Sequence, residues 1–360
     1  MHISKKVEIT PRERVLMSIS HKQPDRVARS LGFEINLPAK HALAEYLGFK
    51  SIQEVDNYLQ QYTDIRSIEP DYIGPVKIGK DSSGIITDVW GVNRSEITYG
   101  PGFYEEICYH PLKDVKDASE LKNYQWPSPD WFNFDDIVEK IKVQNSDNEY
   151  AIIVGNGNIF ESSWYMRGFE QMFVDLIVDP ELANEIMKRV TDFFIEYFAR
   201  LLTAAKNRID LVFTADDIGC QTGLLISLDL WEKMIKPHHV RMNKVLHDLG
   251  TKIMYHTDGA VMEAVPGLID MGIDILEALQ FDAKGMDATI LKEKYGDRLC
   301  FHGGISVQKT LPFGTKNEVI QEVHERINVL GKNGGYILAP SHAIQAGTPV
   351  ENIIAFLETN

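Results

Sequence analysis

Apolar residues in this chain gather in short runs that stop at polar turns, and between the runs they recur every three or four positions. From Tyr150 onward the alternation is regular. Runs at 151–154, 211–214, 253–255, 273–277, 299–301 and 336–338 read as buried strands. Helical spacing follows each of them, at 160–178 with breaks, 180–206, 231–249, 262–271, 287–295, 316–330 and 349–357. Strands alternating with helices of this length are the mark of βαβ units and a parallel sheet. Upstream, Thr10-Pro11-Arg12-Glu13 reads as a capped helix start, with Thr10 and Glu13 able to close a capping box and Pro24 ending the helix. A further strand is expected at 26–33, and 39–67 reads as helical with Gly48 as a stop. Residues 70–112 break the rhythm: Gly74-Pro75, Gly84, Gly91 and Pro101-Gly102 punctuate short alternating segments, which reads as a β-hairpin excursion. Seven or eight strand–helix units favour a closed (β/α)8 TIM barrel, one domain over 1–360, with an N-terminal helical extension.

Composition narrows the function classes. A formal net charge of −15 argues against nucleic acid, whose recognition needs clustered Lys and Arg. No apolar run approaches the roughly 20 residues that span a bilayer, and the opening MHISKKVEIT lacks a signal-peptide core. Cys108, Cys220 and Cys300 show no paired spacing and read as reduced thiols, so a cytoplasmic location is expected, with a homodimer compatible. There is no G-x-G-x-x-G after the first strand and no G-x-x-x-x-G-K-[ST].

In a barrel the strand ends share one mouth. The polar groups there are Asn156 and Asn158, Asp216 and Asp217, His256 and Asp258, Glu277 and Gln280, His302, and Ser341 and His342. His256 and Asp258 are two apart on an extended chain and point the same way. They suit a divalent cation or an acid/base pair, and equally a capped turn in which Asp258 binds backbone amides. Adding His342 makes two imidazoles and one carboxylate with open positions, a set for Zn²⁺ or non-haem Fe²⁺. In the competing reading His342 donates a hydrogen bond to substrate. Of Asp216 and Asp217 only one can face the mouth, as general acid or base, while the other caps or braces. Glu161, Trp164 and Arg167 follow at near-helical spacing: they line the pocket, with Arg167 on a substrate carboxylate, or they form an ion pair beside a core aromatic. Trp90, Tyr104 and Tyr109 form an aromatic lid or simply pack.

Five separated blocks then carry a resemblance: TPRERVLMSISHKQPDRV, TADDIGCQTGLLISLDLWEKMIKPHHVRM, MYHTDGAV, DRLCFHGGISVQKTLPFGT and GGYILAPSHAIQAGTPVENI. Together they resemble the uroporphyrinogen decarboxylase superfamily, over about 10–357 and least over 35–150. The resemblance implies a (β/α)8 barrel and two main chemistries: metal-free decarboxylation of a porphyrinogen, or methyl transfer to or from a corrinoid protein. The arginine-rich R-Q-A-G-R run of the decarboxylases has no match here; Gly32-Phe33-Glu34-Ile35-Asn36 stands in its place. The thiol methyltransferases carry His-x-Cys and a later Cys, where this chain has His256-Thr257-Asp258 and Ser341-His342. The resemblance therefore implies zinc on His256, Asp258 and His342, and methylcobalamin or another corrinoid carried by a partner protein. It further implies proton handling by Asp216, Asp217 or His302, and a small-molecule pocket shaped by Asn156, Asn158, Glu161, Arg167, Gln221 and Gln280. A methoxylated aromatic or a thiol would be the methyl donor or acceptor. The alternatives are a metal-free lyase acting on a porphyrinogen or smaller carboxylated substrate, and a binding protein that kept the barrel and lost the chemistry.

Overall fold

A computed structural model describes residues 9–100 and 102–360. The Pro101 turn signal and the leading residues 1–8 lie outside the described residues. Eight short parallel strands carry the fold: β1 Ala28–Arg29, β2 Ile65–Ser67, β3 Ala151–Asn158, β4 Leu211–Ala215, β5 Lys252–His256, β6 Ile275–Leu279, β7 Cys300–Ile305 and β8 Tyr336–Pro340. The sheet runs β1-β8-β7-β6-β5-β4-β3-β2, which is chain order read round a cylinder. Helices follow the strands, and the chain is a (β/α)8 barrel.

One expectation changes, and one pair of alternatives is decided. The stretch 39–67 is not helical throughout. Gly48, at φ 74, ends the helix Leu37–Leu47, Ser51 caps Ile52–Leu59, and the chain then enters β2. Three residues are too few to show a period, and Arg66 puts a charge inside β2. It is buried because its guanidinium donates to the carbonyls of Gln60, Thr63 and Ile65 and lies 3.6 Å over the Tyr150 ring. Trp90 is no lid: it is buried edge-on against Phe193 and Phe194, with ring centroids at 5.0 and 5.7 Å. Tyr104 and Tyr109 are exposed.

Contacts cluster into two compact units, one of Met1–Ile68, Ile141–Ile153 and Asp274–Asn360, the other of Glu69–Lys140 and Val154–Ile273. In the first, β1, β8, β7 and β6 are joined in parallel register, Ala28 opposite Ile337 and Phe301 opposite Tyr336, and β2 lies beside the start of β3. Asp64, 1% exposed, links β1 to β2. Its amide donates to Arg29 O at 2.9 Å, and its carboxylate accepts from Arg29 N, Arg14 and Arg26 at 2.8–2.9 Å. Arg14 belongs to the helix Pro11–Ile19, whose Thr10–Glu13 capping box is formed. The second unit sets β4 beside β5, with Leu211 opposite Lys252 and Ala215 opposite His256. The long helix Pro180–Ala205 supplies its apolar wall. An antiparallel sheet of Gly79–Lys80, Ile86–Thr87, Asn93–Tyr99 and Gly102–Tyr109 fills the excursion expected at 70–112. Among the described residues, no helix is long and apolar enough to cross a membrane.

Candidate functional site

β5 is apolar for three residues and then delivers His256 as its last member. The turn that follows is pinned by its own chain and by the loop after β4. Ile218 N–H donates to Thr257 Oγ1 at 3.1 Å, Asp258 N–H to Asp217 Oδ1 at 2.8 Å, and Ala260 N–H to Cys220 O at 2.8 Å. The fit is close enough to require glycine. A Cβ on Gly259, at φ +85, would stand 2.6 Å from Cys220 O, and one on Gly219 2.6 Å from Asp258 O. The buried His256 ring presents Nε2 3.5 Å from Asp217 Oδ1 and 3.8 Å from Asp258 Oδ1. One imidazole thus faces two carboxylates.

The neighbouring aspartates divide as strand alternation requires. Asp216 is fully buried. Its Oδ1 accepts Glu161 N–H at 2.7 Å, and its Oδ2 accepts Phe160 N–H at 2.9 Å and faces His239 Nε2 at 2.5 Å. It anchors the first turn of the helix Phe160–Arg167, whose positive end it complements. Of the two roles open to this pair, the bonds of Asp216 are those of a brace. Asp217 is the partner turned toward His256. The brace seats Glu161, which accepts from Asn158 Nδ2 at 2.5 Å. Burial, with the charges of Asp217 and Asp216 behind it, pushes the Glu161 carboxyl up to about 8, against an opposing pull from His256 and Asn158. Arg167 has a different place from the one expected. It is buried in an ion pair with Asp175 at 2.7 Å and donates to the carbonyls of Leu112, Lys113 and Val115, so its donors are committed to tethering that segment rather than to a substrate carboxylate. Asn156 and Gln221 are exposed, the latter in the turn between Gly219–Cys220 and Gly223–Leu224.

In the first unit Glu277, Gln280, His302 and Ser341 are all buried. His302 Nδ1 lies 3.7 Å from Glu277 Oε1, and neither ring nitrogen of His302 has a hydrogen-bond partner among the described residues. A buried imidazole in that state is costly unless something polar reaches it. His342 follows β8. Its ring stacks on Phe33 with centroids 4.8 Å apart and planes at 21°, and its Nδ1 accepts Ala343 N–H at 2.8 Å. The neutral ring then carries its proton on Nε2, so taking a metal there means giving up that bond. Three residues that hold these groups in place go unmarked in the sequence reading. Thr257 and Phe33 carry no signal of their own, whereas His239, one of two adjacent histidines on the helix Lys236–Asp248, offered one in its apolar surroundings.

Among the described residues, His256 and Asp258 of the second unit each turn a metal-ligating atom toward the other and could share a metal ion, and His342 of the first unit carries a further imidazole. Two ligand atoms on one tetrahedral zinc stand about 3.3 Å apart, so the 3.8 Å between His256 and Asp258 needs little closure. The donor set, imidazole and carboxylate, suits zinc or iron and leaves a position open.

Residues 97–360 match the profile of the uroporphyrinogen decarboxylase (URO-D) family. Uroporphyrinogen decarboxylase 2, chloroplastic, of Oryza sativa subsp. japonica is 21% identical over 290 residues, covering 77% of this chain and 68% of that protein. A methyltransferase from Methanosarcina mazei superposes with a TM-score of 0.68 at 17% identity, covering 98% of each chain.

Proposed function

The chain belongs to the uroporphyrinogen decarboxylase family, and within it we propose that it is a zinc-dependent methyltransferase, moving a methyl group between a small donor or acceptor and a corrinoid carried on a separate protein. A methoxylated aromatic or a thiol is the small molecule. The observation that carries the reading is the His256–Thr257–Asp258 turn, where one imidazole faces the carboxylates of Asp217 and Asp258 within 4 Å. Such a cluster of negative charge around a buried histidine is balanced best by a cation. The replacement of R-Q-A-G-R by Gly32-Phe33-Glu34-Ile35-Asn36 points the same way, since a porphyrinogen with many carboxylates would meet no arginine cluster there.

In this reading His256, Asp258 and His342 hold the metal, which when bound supplies a Lewis acid at an ether oxygen or a thiol. The corrinoid supplies the cobalt that gives or takes the methyl group. The chain's own residues do the rest. Asp217 holds the Asp258 amide and faces His256, which keeps the turn in register. Asp216 and His239 seat the helix that carries Glu161. Glu161, protonated near neutrality, is placed to hold a proton for an anionic leaving group. His302 in β7 and Gln280 just after β6 add buried polar groups.

Glu161 also favours the second reading, a metal-free decarboxylase. Loss of CO2 leaves a carbanion that must be protonated, and a carboxyl raised to about 8 is a suitable donor. One measurement separates the two. Elemental mass spectrometry of the purified protein should find about one zinc per chain, falling to below about a tenth in Asp258→Ala. Methyl transfer to an added corrinoid protein should fall with it. No metal after zinc addition, together with chelator-insensitive CO2 release, would replace the methyltransferase by the lyase.

A further inference from the structure

We infer that Phe33 is a positioning residue that fixes the ring plane of His342; its consequence for metal rests on the reading of His342 as a ligand. The loop after β1 and the loop after β8 are zipped together. Ile344 N–H donates to Glu34 O and Asn36 N–H to Ile344 O, both at 3.0 Å, giving a parallel bridge between Ile35 and Ile344. Asn36 Nδ2 adds a bond to Gln345 Oε1 at 3.0 Å. The same Asn36 caps the helix Leu37–Leu47 through Ala39 N–H at 3.1 Å. One turn into that helix, Lys40 reaches Glu34 at 3.3 Å and Asp56 at 2.8 Å. At the other end of the loop Gly32 turns with φ +57, and a Cβ there would stand 3.3 Å from Pro340 O, the last residue of β8.

In a loop held this firmly Ile35 is buried, while the aromatic side chain of Phe33 stays at the surface and is laid on the imidazole. It remains 37% exposed, so burial is a weak reason for its position. Imidazole lone pairs lie in the ring plane. Whatever fixes the plane therefore fixes the direction in which His342 offers its nitrogens. The Ala343 N–H bond to Nδ1 also holds the ring, but it is given up when Nε2 takes a metal, and the stacked neighbour then restricts a χ2 torsion that is broad in histidine. Groups that orient a metal ligand commonly change metal affinity by about 10- to 100-fold. The loop standing where the decarboxylases carry arginines would thus serve a ligand of this chain's own rather than a substrate carboxylate.

The test compares wild type with Phe33→Leu, which keeps apolar bulk without a flat face, and Phe33→Tyr, which restores the face. In metal-free protein with isotope-labelled histidine, the His342 ring protons should be shifted upfield by Phe33, lose that shift in Phe33→Leu and regain it in Phe33→Tyr. Zinc dissociation constants from chelator competition should rise about 10-fold or more in Phe33→Leu and return in Phe33→Tyr. Unchanged His342 ring protons in Phe33→Leu overturn the inference. So does an unchanged zinc affinity in a wild type that binds zinc. If wild type binds no zinc but the ring-proton shift follows the flat face, the inference stands and the metal reading falls.

Discussion

Asp216 and Asp217 are consecutive residues with unlike surroundings, and the difference is measurable. Asp216 is fully buried and accepts from two helix amides and His239; the Asp217 side chain is 32% exposed. Asp216→Asn should cost about 3 kcal/mol in chemical denaturation, because buried donors lose a charged acceptor. Asp217→Asn should cost under about 1 kcal/mol, since an amide oxygen can still accept from Asp258 N–H. Equal costs would contradict the division. Glu161 adds a pH dependence. Its carboxyl, ordinarily near 4.5, is raised to about 8 in the folded protein, so the folded state holds a proton that the unfolded chain gives up. Stability is therefore undiminished below about 4.5 and declines as pH rises toward about 8. Glu161→Gln removes this term. In metal-free protein, the urea midpoint of the variant should gain on wild type between about pH 5 and pH 8; parallel midpoints would refute the burial argument. Alternation alone implies that one aspartate braces and one faces the site. Which of them does so depends on the helix that Asp216 caps, and no local pattern discloses that. The same holds for Arg167, where an ion pair was one of two alternatives: its partner Asp175 is eight residues on, but the carbonyls it ties lie more than fifty residues back.

Among the elements, helices were legible and strand lengths were not. The helix Lys316–Leu330 and the capping box at Thr10 sit where periodicity and capping chemistry put them. The strands β3, β5 and β7 run past their apolar stretches to include Asn156 and Asn158, His256 and His302. Polar side chains inside strand ends break the pattern by which a strand is recognised, so the residues most relevant to chemistry are those a hydropathy reading assigns to turns. The turn after β5 gives a prediction at this scale. Gly259 and Gly250 share φ +85, but a Cβ meets Cys220 O at 2.6 Å in the first and nothing within 4 Å in the second. Gly250→Ala should cost about 1 kcal/mol, for backbone strain alone. Gly259→Ala should cost roughly 2 kcal/mol more and, on the proposed role of Asp258, weaken zinc binding by moving that residue. Matching losses in stability and zinc affinity would show that the loop after β4 does not press on the turn.

For the whole molecule, a rhythm of apolar runs was enough to anticipate the barrel, and the superposition at 17% identity with a TM-score of 0.68 shows why. The fold asks only for apolar strands and amphipathic helices in the right order, which very different sequences supply. Substrate choice is set by a few side chains at strand ends and is correspondingly hard to read from the chain. The link that Asp64 makes has a consequence of another kind. β1 and β2 lie at opposite ends of the sheet order, joined through Thr63 and Asp64, whose hydroxyl, amide and carboxylate all bond to Arg29, while the outer side of β1 belongs to β8 through Ala28 and Ile337. On the ribosome, the first strand to emerge must wait for the last. Until Tyr336–Pro340 has been synthesised, Ala28–Arg29 lacks its ladder partner, and the nascent barrel is a strip fastened at one buckle.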